Sequence, residues 1–152
     1  DAIVISDYDK GYINGDDLWN LCHNLNRPVF VDTKKRRLFH KENVFWKINK
    51  KEYDLLDKDH LPNGTHLIVT LGNRGVMWNG LIFQPQVVKV FDVCGAGDTF
   101  LSALVYEFLK TKDMQRSIDL ANRAAAISVT HPGAYYLNKN DIESLYGGKN
   151  ES

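Results

Sequence analysis

Short, dense apolar runs alternate with helix-spaced apolar positions along the first half of the chain. Ala2 to Ser6 (AIVIS), Pro28 to Asp32 (PVFVD), Val44 to Ile48 (VFWKI) and His66 to Leu71 (HLIVTL) have the length expected of strands covered on both faces. Between the first two, Ile13, Leu18, Leu21, Cys22 and Leu25 fall at helical spacing after Asn14, and Glu52 to Leu56 predicts a shorter helix after the third. Strand alternating with helix implies βαβ units and a mostly parallel sheet. The rhythm then changes. GVMWN, LIFQP and VVKVFDV follow one another with only Asn79-Gly80 and a Gln-Pro turn between them, which predicts a small antiparallel meander at the sheet edge. Two long helical patterns come next, Ala96 to Leu109 and Met114 to Thr130, the second with Met114, Ile118, Ala121, Ala125 and Val129 on one face. A last short helix is expected from Asn138 or Asn140. The fold class predicted is α/β, with a mostly parallel sheet and an antiparallel edge, in one domain spanning residues 1–152.

Composition narrows the classes of function. Lys plus Arg and Asp plus Glu number 19 each, so the balance suggests neither a polyanion binder nor an acidic disordered chain. The basic run Lys34 to Arg37 lacks the interleaved aromatics of a nucleic-acid surface and is expected to be a solvated loop. Cys22 and Cys94 show neither metal-ligand spacing nor a disulfide framework, and the five histidines form no metal-like spacing. No apolar run has membrane-spanning length and no charged-then-apolar leader is present, so a cytoplasmic protein without membrane or nucleic-acid partners is expected. The chain opens directly on a strand, as though taken from something longer.

Ligands of open α/β sheets bind beyond the carboxyl ends of the strands, and four segments fall there. In DVCGAGDTF, Asp92 to Phe100, Gly95 and Gly97 let backbone N–H groups converge on one point where a helix begins, and the positive helix end favours an anion. No Gly-Lys-Ser/Thr follows, so this is not a P-loop, and the third glycine of the dinucleotide fingerprint is missing. Asp98 either sits in the first helical turn because acids are favoured there or acts on a ligand. Cys94 places a thiol just before the same helix start. Asn49 and Glu52, three apart at a strand end, suit either a magnesium–phosphate site or a capping box. Thr70, Gly72 and Gly75 end a strand in a turn open to a phosphate, or simply make a hairpin. Asp7 and Lys10 follow the first strand, in a loop or a site.

Taken in order, these segments resemble one family. DVCGAGDTF, preceded by TLGNRG and an Asn-x-x-Glu and followed by ANRAAAISVTHPGA, is similar to the carbohydrate kinases of the ribokinase and PfkB family, across essentially the whole chain but only over the C-terminal half of a member. The resemblance implies a three-layer αβα fold and ATP-dependent phosphoryl transfer to a sugar hydroxyl. It implies an anion hole at Gly95, Ala96 and Gly97, with Asp98 as the base that takes the hydroxyl proton. It further implies magnesium organised by Asn49 and Glu52, a nucleotide-facing turn at Thr70, Gly72 and Gly75, Asn122 near the adenine, and a potassium ion near Asp92 and Gly133. SDYDKG and VFVDTKK look most like heptose 7-phosphate kinase domains of ADP-heptose synthesis, which puts Asp7, Lys10 and Lys34 on the sugar-phosphate side. Thr33 stands where that branch has proline, Lys47-Ile48 where Thr-Pro is common, and Val93-Cys94 where Thr-Thr is common. A kinase for another sugar or a nucleoside is the alternative within the class, and a non-catalytic nucleotide-binding module the alternative outside it. A homodimer is a candidate assembly of the full-length protein.

Overall fold

The computed structural model describes residues 1–147 and resolves two compact units, one of Asp1–Gly72 with Val76–Ile82, the other of Asn73–Gly75 with the chain from Phe83 onward. A six-stranded sheet has the order β1-β2-β3-β4-β5-β6. Strands β1 (Ile3–Asp7), β2 (Val29–Thr33), β3 (Val44–Asn49) and β4 (His66–Thr70) are parallel, and β5 (Val76–Trp78) runs antiparallel to β4. Strand β6 (Leu81–Phe83) follows at the edge. The four apolar runs and the antiparallel edge thus lie where the pattern put them.

The register explains why. Ile5 pairs with Val31, Val31 with Trp46, Ile48 with Val69 and Val69 with Met77, so the odd positions of β1 and β2 and the even ones of β3 point to one face. That face forms a core of Ile5, Val29, Val31, Val44, Trp46, Ile48 and Val69 together with Leu18 and Cys22 of helix α1 (Gly15–His23). Asn14 opens α1 through a reciprocal cap with Asp17, which fixes where the helical spacing begins. On the opposite face Phe30 stacks on Phe45 and Phe45 on His66, while Lys47 donates to Asp32 at 2.6 Å across registered positions of β2 and β3. The short helix α2 is Lys50–Asp54.

One predicted strand is absent. VVKVFDV is not a strand, and among the described residues the sheet ends at β6. Alternating apolar residues specify a strand only when one of its faces is covered. Here Val87, Val90, Phe91 and Val93 are all exposed, and the Phe91 and Asp92 amides donate to the Val129 carbonyl instead of to a neighbouring strand.

In the second unit, α3 (Ala96–Thr111) and α4 (Met114–Ser128) pack along each other, and α5 (Lys139–Gly147) packs on α4. Of the predicted face of α4, Met114, Ile118 and Ala121 are buried while Ala125 and Val129 are half-buried; Leu120 and Ala124 bury against Leu145 of α5. Glu107 of α3 is fully buried. Its carboxylate accepts Arg116 Nε of α4 at 2.6 Å and the Tyr146 hydroxyl of α5 at 2.8 Å, so one buried acid ties three helices. Burial, and then the Glu107 carboxylate, push the Tyr146 hydroxyl up to about 12. Removing the cation should cost more than removing the charge it serves. Arg116→Ala is expected to lower unfolding free energy by at least about 2 kcal/mol, because the buried acid loses its counter-ion. Glu107→Gln, which keeps the shape, should cost about 1 kcal/mol; chemical denaturation of both variants checks the order.

Candidate active site

The glycine loop is built from backbone geometry. Gly95 is the N-cap of α3 with φ 75°, and a Cβ there would lie 3.3 Å from both Cα and Cβ of Ala134, so neither the conformation nor the space suits a larger residue. The first intrahelical bond runs from the Thr99 amide to the Gly95 carbonyl at 2.9 Å, and the Ala96 amide makes a 3.3 Å turn bond to Val93. The Gly97 and Asp98 amides precede that first bond, as the opening donors of any helix must, and are left to a ligand or water. Asp98 stands in this first turn with an exposed side chain, and no donor contacts its carboxylate among the described residues. Its backbone carbonyl accepts the Ser102 hydroxyl. Gly95, Asp98, Thr99 and Ser102 line a cavity of about 440 Å³ that Tyr106 and Tyr135 also line.

Asp92 anchors this loop. One carboxylate oxygen accepts the Cys94 amide at 2.9 Å and the other the Gly133 amide at 2.9 Å, which brings the predicted Asp92 and HPGA segments together. Those amides, Cys94 first and Gly133 next, hold the Asp92 carboxyl below its ordinary value. Asn122 is buried in α4, not set on the helix surface, and its Nδ2 donates to the Phe83 carbonyl at 3.2 Å. Gly75 has φ 88°, and a Cβ there would approach the Phe83 carbonyl oxygen to 1.9 Å. Its glycine is therefore required by packing, whatever the turn binds.

In the first unit the candidates sit at strand ends. Asn49 and Glu52 form the reciprocal cap that their spacing also allowed: the Asn49 side chain accepts the Glu52 amide at 2.9 Å, and Glu52 accepts the Asn49 amide at 2.7 Å. The cap engages Glu52 Oε2, and no hydrogen bond to the other carboxylate oxygen is seen among the described residues. Asn49 is the register partner of Thr70, whose hydroxyl contacts the Ile48 carbonyl at 3.4 Å. Gly72–Arg74 is a short 3-10 turn joining the antiparallel pair β4 and β5, which fulfils the hairpin reading. Among the described residues no cluster of three or more His, Cys, Asp or Glu could hold a metal, and no helix is long and apolar enough to cross a membrane.

Beyond β1 and β2 the structure adds partners that the sequence reading did not name. Lys10 is exposed, and the cation beside Asp7 is Lys35. Asp7 accepts the Thr33 hydroxyl at 3.1 Å and the Asp9 amide at 3.0 Å, and Lys35 reaches it at 3.2 Å. Lys35 also donates to Asp9 at 3.1 Å, and Arg37 pairs with Asp57, so the basic run is only partly a solvated loop. Lys34 is exposed and stands 5.5 Å from the Tyr8 ring centroid. Lys35 and Asp9 were not singled out from the sequence, and Thr33 was noted only as a departure from the proline of the heptose branch. The signal that finds them is the Asp7–Thr33 strand register, visible only once β1 and β2 are paired.

The chain is similar to known proteins along this whole course. The model of the pfkB family carbohydrate kinases matches residues 39–141, and the chain belongs to that family. Among curated proteins it is 32% identical to the bifunctional protein HldE of a Nitratiruptor species, over 94% of this chain and 35% of that protein. The HldE of Campylobacter curvus is 30% identical, over 95% and 36%. The chain thus spans about a third of the length of these relatives. Among solved structures, the ribokinase of Thermotoga maritima has a TM-score of 0.77 at 22% identity, covering 97% of this chain and 57% of that one. Phosphofructokinase-2 of Escherichia coli in complex with potassium has 0.73 at 17%, covering 96% and 56%. Arabidopsis thaliana ribokinase complexed with ribose and ATP has 0.67 at 17%, covering 95% and 55%. The fold is the three-layer, mostly parallel ribokinase fold.

Two measurements test this geometry. Gly75→Ala should lower unfolding free energy by more than about 2 kcal/mol in a urea titration, since strain and a backbone clash coincide. For Asp7, burial opposes ionisation, but the Asp9 amide, the Lys35 ammonium and the Thr33 hydroxyl together outweigh it and hold the carboxyl below its ordinary 3.8. Its contribution is therefore complete above that value and is lost as pH falls through the folded one. Burial likewise opposes charge on Lys35, but Asp9 and Asp7 outweigh it, and its contribution is lost as pH rises through a folded value above the ordinary 10.5. Thermal melts of Asp7→Asn should show a flatter acid limb below about pH 4 than wild type.

Proposed function

We propose that the chain is the nucleotide-binding and phosphoryl-transfer half of an ATP-dependent kinase whose acceptor is a phosphorylated heptose, of the D-glycero-D-manno-heptose 7-phosphate type. The observation that carries this reading is the αL glycine at the start of α3, with open amides and an unengaged carboxylate, Asp98, within one helical turn. Phosphoryl transfer requires alignment and neutralisation of charge on the phosphoryl group in flight, and fixed N–H donors at a helix start supply that without reorganising. In the step proposed, the acceptor oxygen attacks the γ-phosphorus in line, its proton passes to Asp98, and ADP departs with the electrons of the broken P–O bond. The amides of Gly97 and Asp98, with Ala96 turning toward them, bind the equatorial oxygens.

The remaining residues take supporting roles. Thr70 and Gly72 border the nucleotide phosphates at the end of β4, and Gly75 holds the turn that follows. Asn122 fixes the end of β6 on the nucleotide side through its bond to Phe83. Magnesium is usually held by one or two carboxylates with water and substrate phosphates, and the Glu52 oxygen that the cap does not use, with Asn49 capped beside it, suits that donor set. When bound it would supply positive charge that offsets the charge on the phosphates. Asp92 orders the backbone carbonyls around Cys94 and Gly133 that would meet a potassium ion, and each of its oxygens keeps an acceptor site beyond its amide. The heptose branch is favoured by the HldE similarity and by the SDYDKG and VDTKK segments at the ends of β1 and β2.

The test is ADP release by the full-length parent protein with heptose 7-phosphate, ribose, fructose and a nucleoside as acceptors. Selective turnover of the heptose phosphate is expected. Asp98→Asn should lower it by about 10²- to 10⁴-fold with ATP affinity retained. Turnover of a different acceptor would keep the kinase and remove the heptose, whereas ATP binding without turnover of any acceptor would make the chain a nucleotide-binding module.

A further inference from the structure

The loop after β1 holds a non-glycine residue, Asp9, at φ 54°. Asp is among the few non-glycine residues that adopt left-handed backbone, and it does so where local bonds of its short polar side chain support it. The surroundings here are ionic. The Asp9 amide donates to Asp7 Oδ1, and its carboxylate accepts Lys35 Nζ, which also lies 3.2 Å from Asp7 Oδ2. Thr33 completes the lock: its hydroxyl donates to Asp7 and accepts the Lys35 amide at 3.1 Å. Asp7 is 6% and Thr33 1% exposed, and the Lys35 side chain is 15% exposed. A nearly buried ammonium between two carboxylates is a costly arrangement whose best-attested return is a fixed geometry.

What the lock fixes is two loops at the carboxyl ends of neighbouring parallel strands. Lys35 spends its charge on Asp7 and Asp9. Lys10 and Lys34, on the same two loops, are exposed and have no carboxylate partner among the described residues, and Lys34 is held near Tyr8 by its cation–π contact. Two free ammonium groups carried on a braced pair of loops, at the strand ends where α/β sheets take their ligands, match an anionic group on the substrate.

We propose that Lys35 is a positioning residue for the phosphate carried by the acceptor: it clamps the β1 loop to the β2 loop through Asp7 and Asp9, and so sets where Lys10 and Lys34 meet that phosphate. This rests on the sugar-kinase reading above.

The test compares the full-length parent protein with its Lys35→Met and Lys35→Arg variants, using heptose 7-phosphate and its phosphate-free analogue. Lys35→Met should raise KM for the phosphorylated acceptor about ten- to a hundred-fold, with KM for ATP unchanged and a smaller effect on the phosphate-free sugar. Lys35→Arg should recover part of the loss. Amide exchange at Asp9 should quicken in Lys35→Met, and Asp9→Asn, which tolerates the left-handed backbone, should show a milder rise in the same KM. An unchanged acceptor KM, an equal rise in both KM values, or unaltered exchange at Asp9 would overturn the proposal while leaving the kinase intact. If the wild-type protein turned over no phosphorylated acceptor, the heptose-phosphate reading would fail first and the proposal with it.

Discussion

The carboxylate of Asp92 is the constraint on which the candidate catalytic loop depends. It accepts one amide from its own loop and one from the turn after α4, so the entry to α3 is pinned to the exit of α4. The same turn supplies Ala134, whose Cα and Cβ would lie 3.3 Å from a Cβ at Gly95, and the φ of 75° there adds a second reason for glycine. The left-handed Gly95 then sets the direction of α3 and turns its first amides outward. A helix start alone attracts anions weakly; a start whose entry is held by a charged hydrogen-bond acceptor keeps those donors in place while charge develops on a ligand.

The strand ends of the first unit use the same device with different groups. A capping box closes β3 onto α2, and an ionic lock closes the β1 loop onto the β2 loop. In each case backbone amides that would otherwise be unpaired beyond the carboxyl ends of the strands are satisfied by side-chain oxygens a few residues away. A residue proposed to serve the chemistry, such as Glu52, can therefore also hold the scaffold. The two roles compete less than they first suggest, because a carboxylate has more acceptor sites than one cap consumes.

Much of this architecture was legible in the chain. The four parallel strands, the α1 start at Asn14, the hairpin at Gly72 and the helices after the glycine loop follow from period, caps and turn residues, which act over a few positions. The glycine loop and its Asp98 were readable for the same reason, since sharp backbone turns need particular residues at particular places. VVKVFDV failed because alternation is a statement about a covered face, and no strand pairs with it. The bond from Asn122 to the Phe83 carbonyl was not legible, because the helical neighbours of Asn122 do not reveal a partner so distant in sequence.

The sequence by itself determined the element order, the mostly parallel sheet, the glycine loop and the family motifs, all of which rest on local conformational preference and on short-range spacing. Only the tertiary structure decided which cation serves Asp7. Lys10 is nearer in sequence, yet parallel pairing of β1 with β2 sets Asp7 beside Thr33 and brings Lys35 within reach. It likewise decided that Glu107 lies buried among three helices and that Asp92 clasps Gly133, because charge partners separated by many residues are chosen by packing and not by spacing.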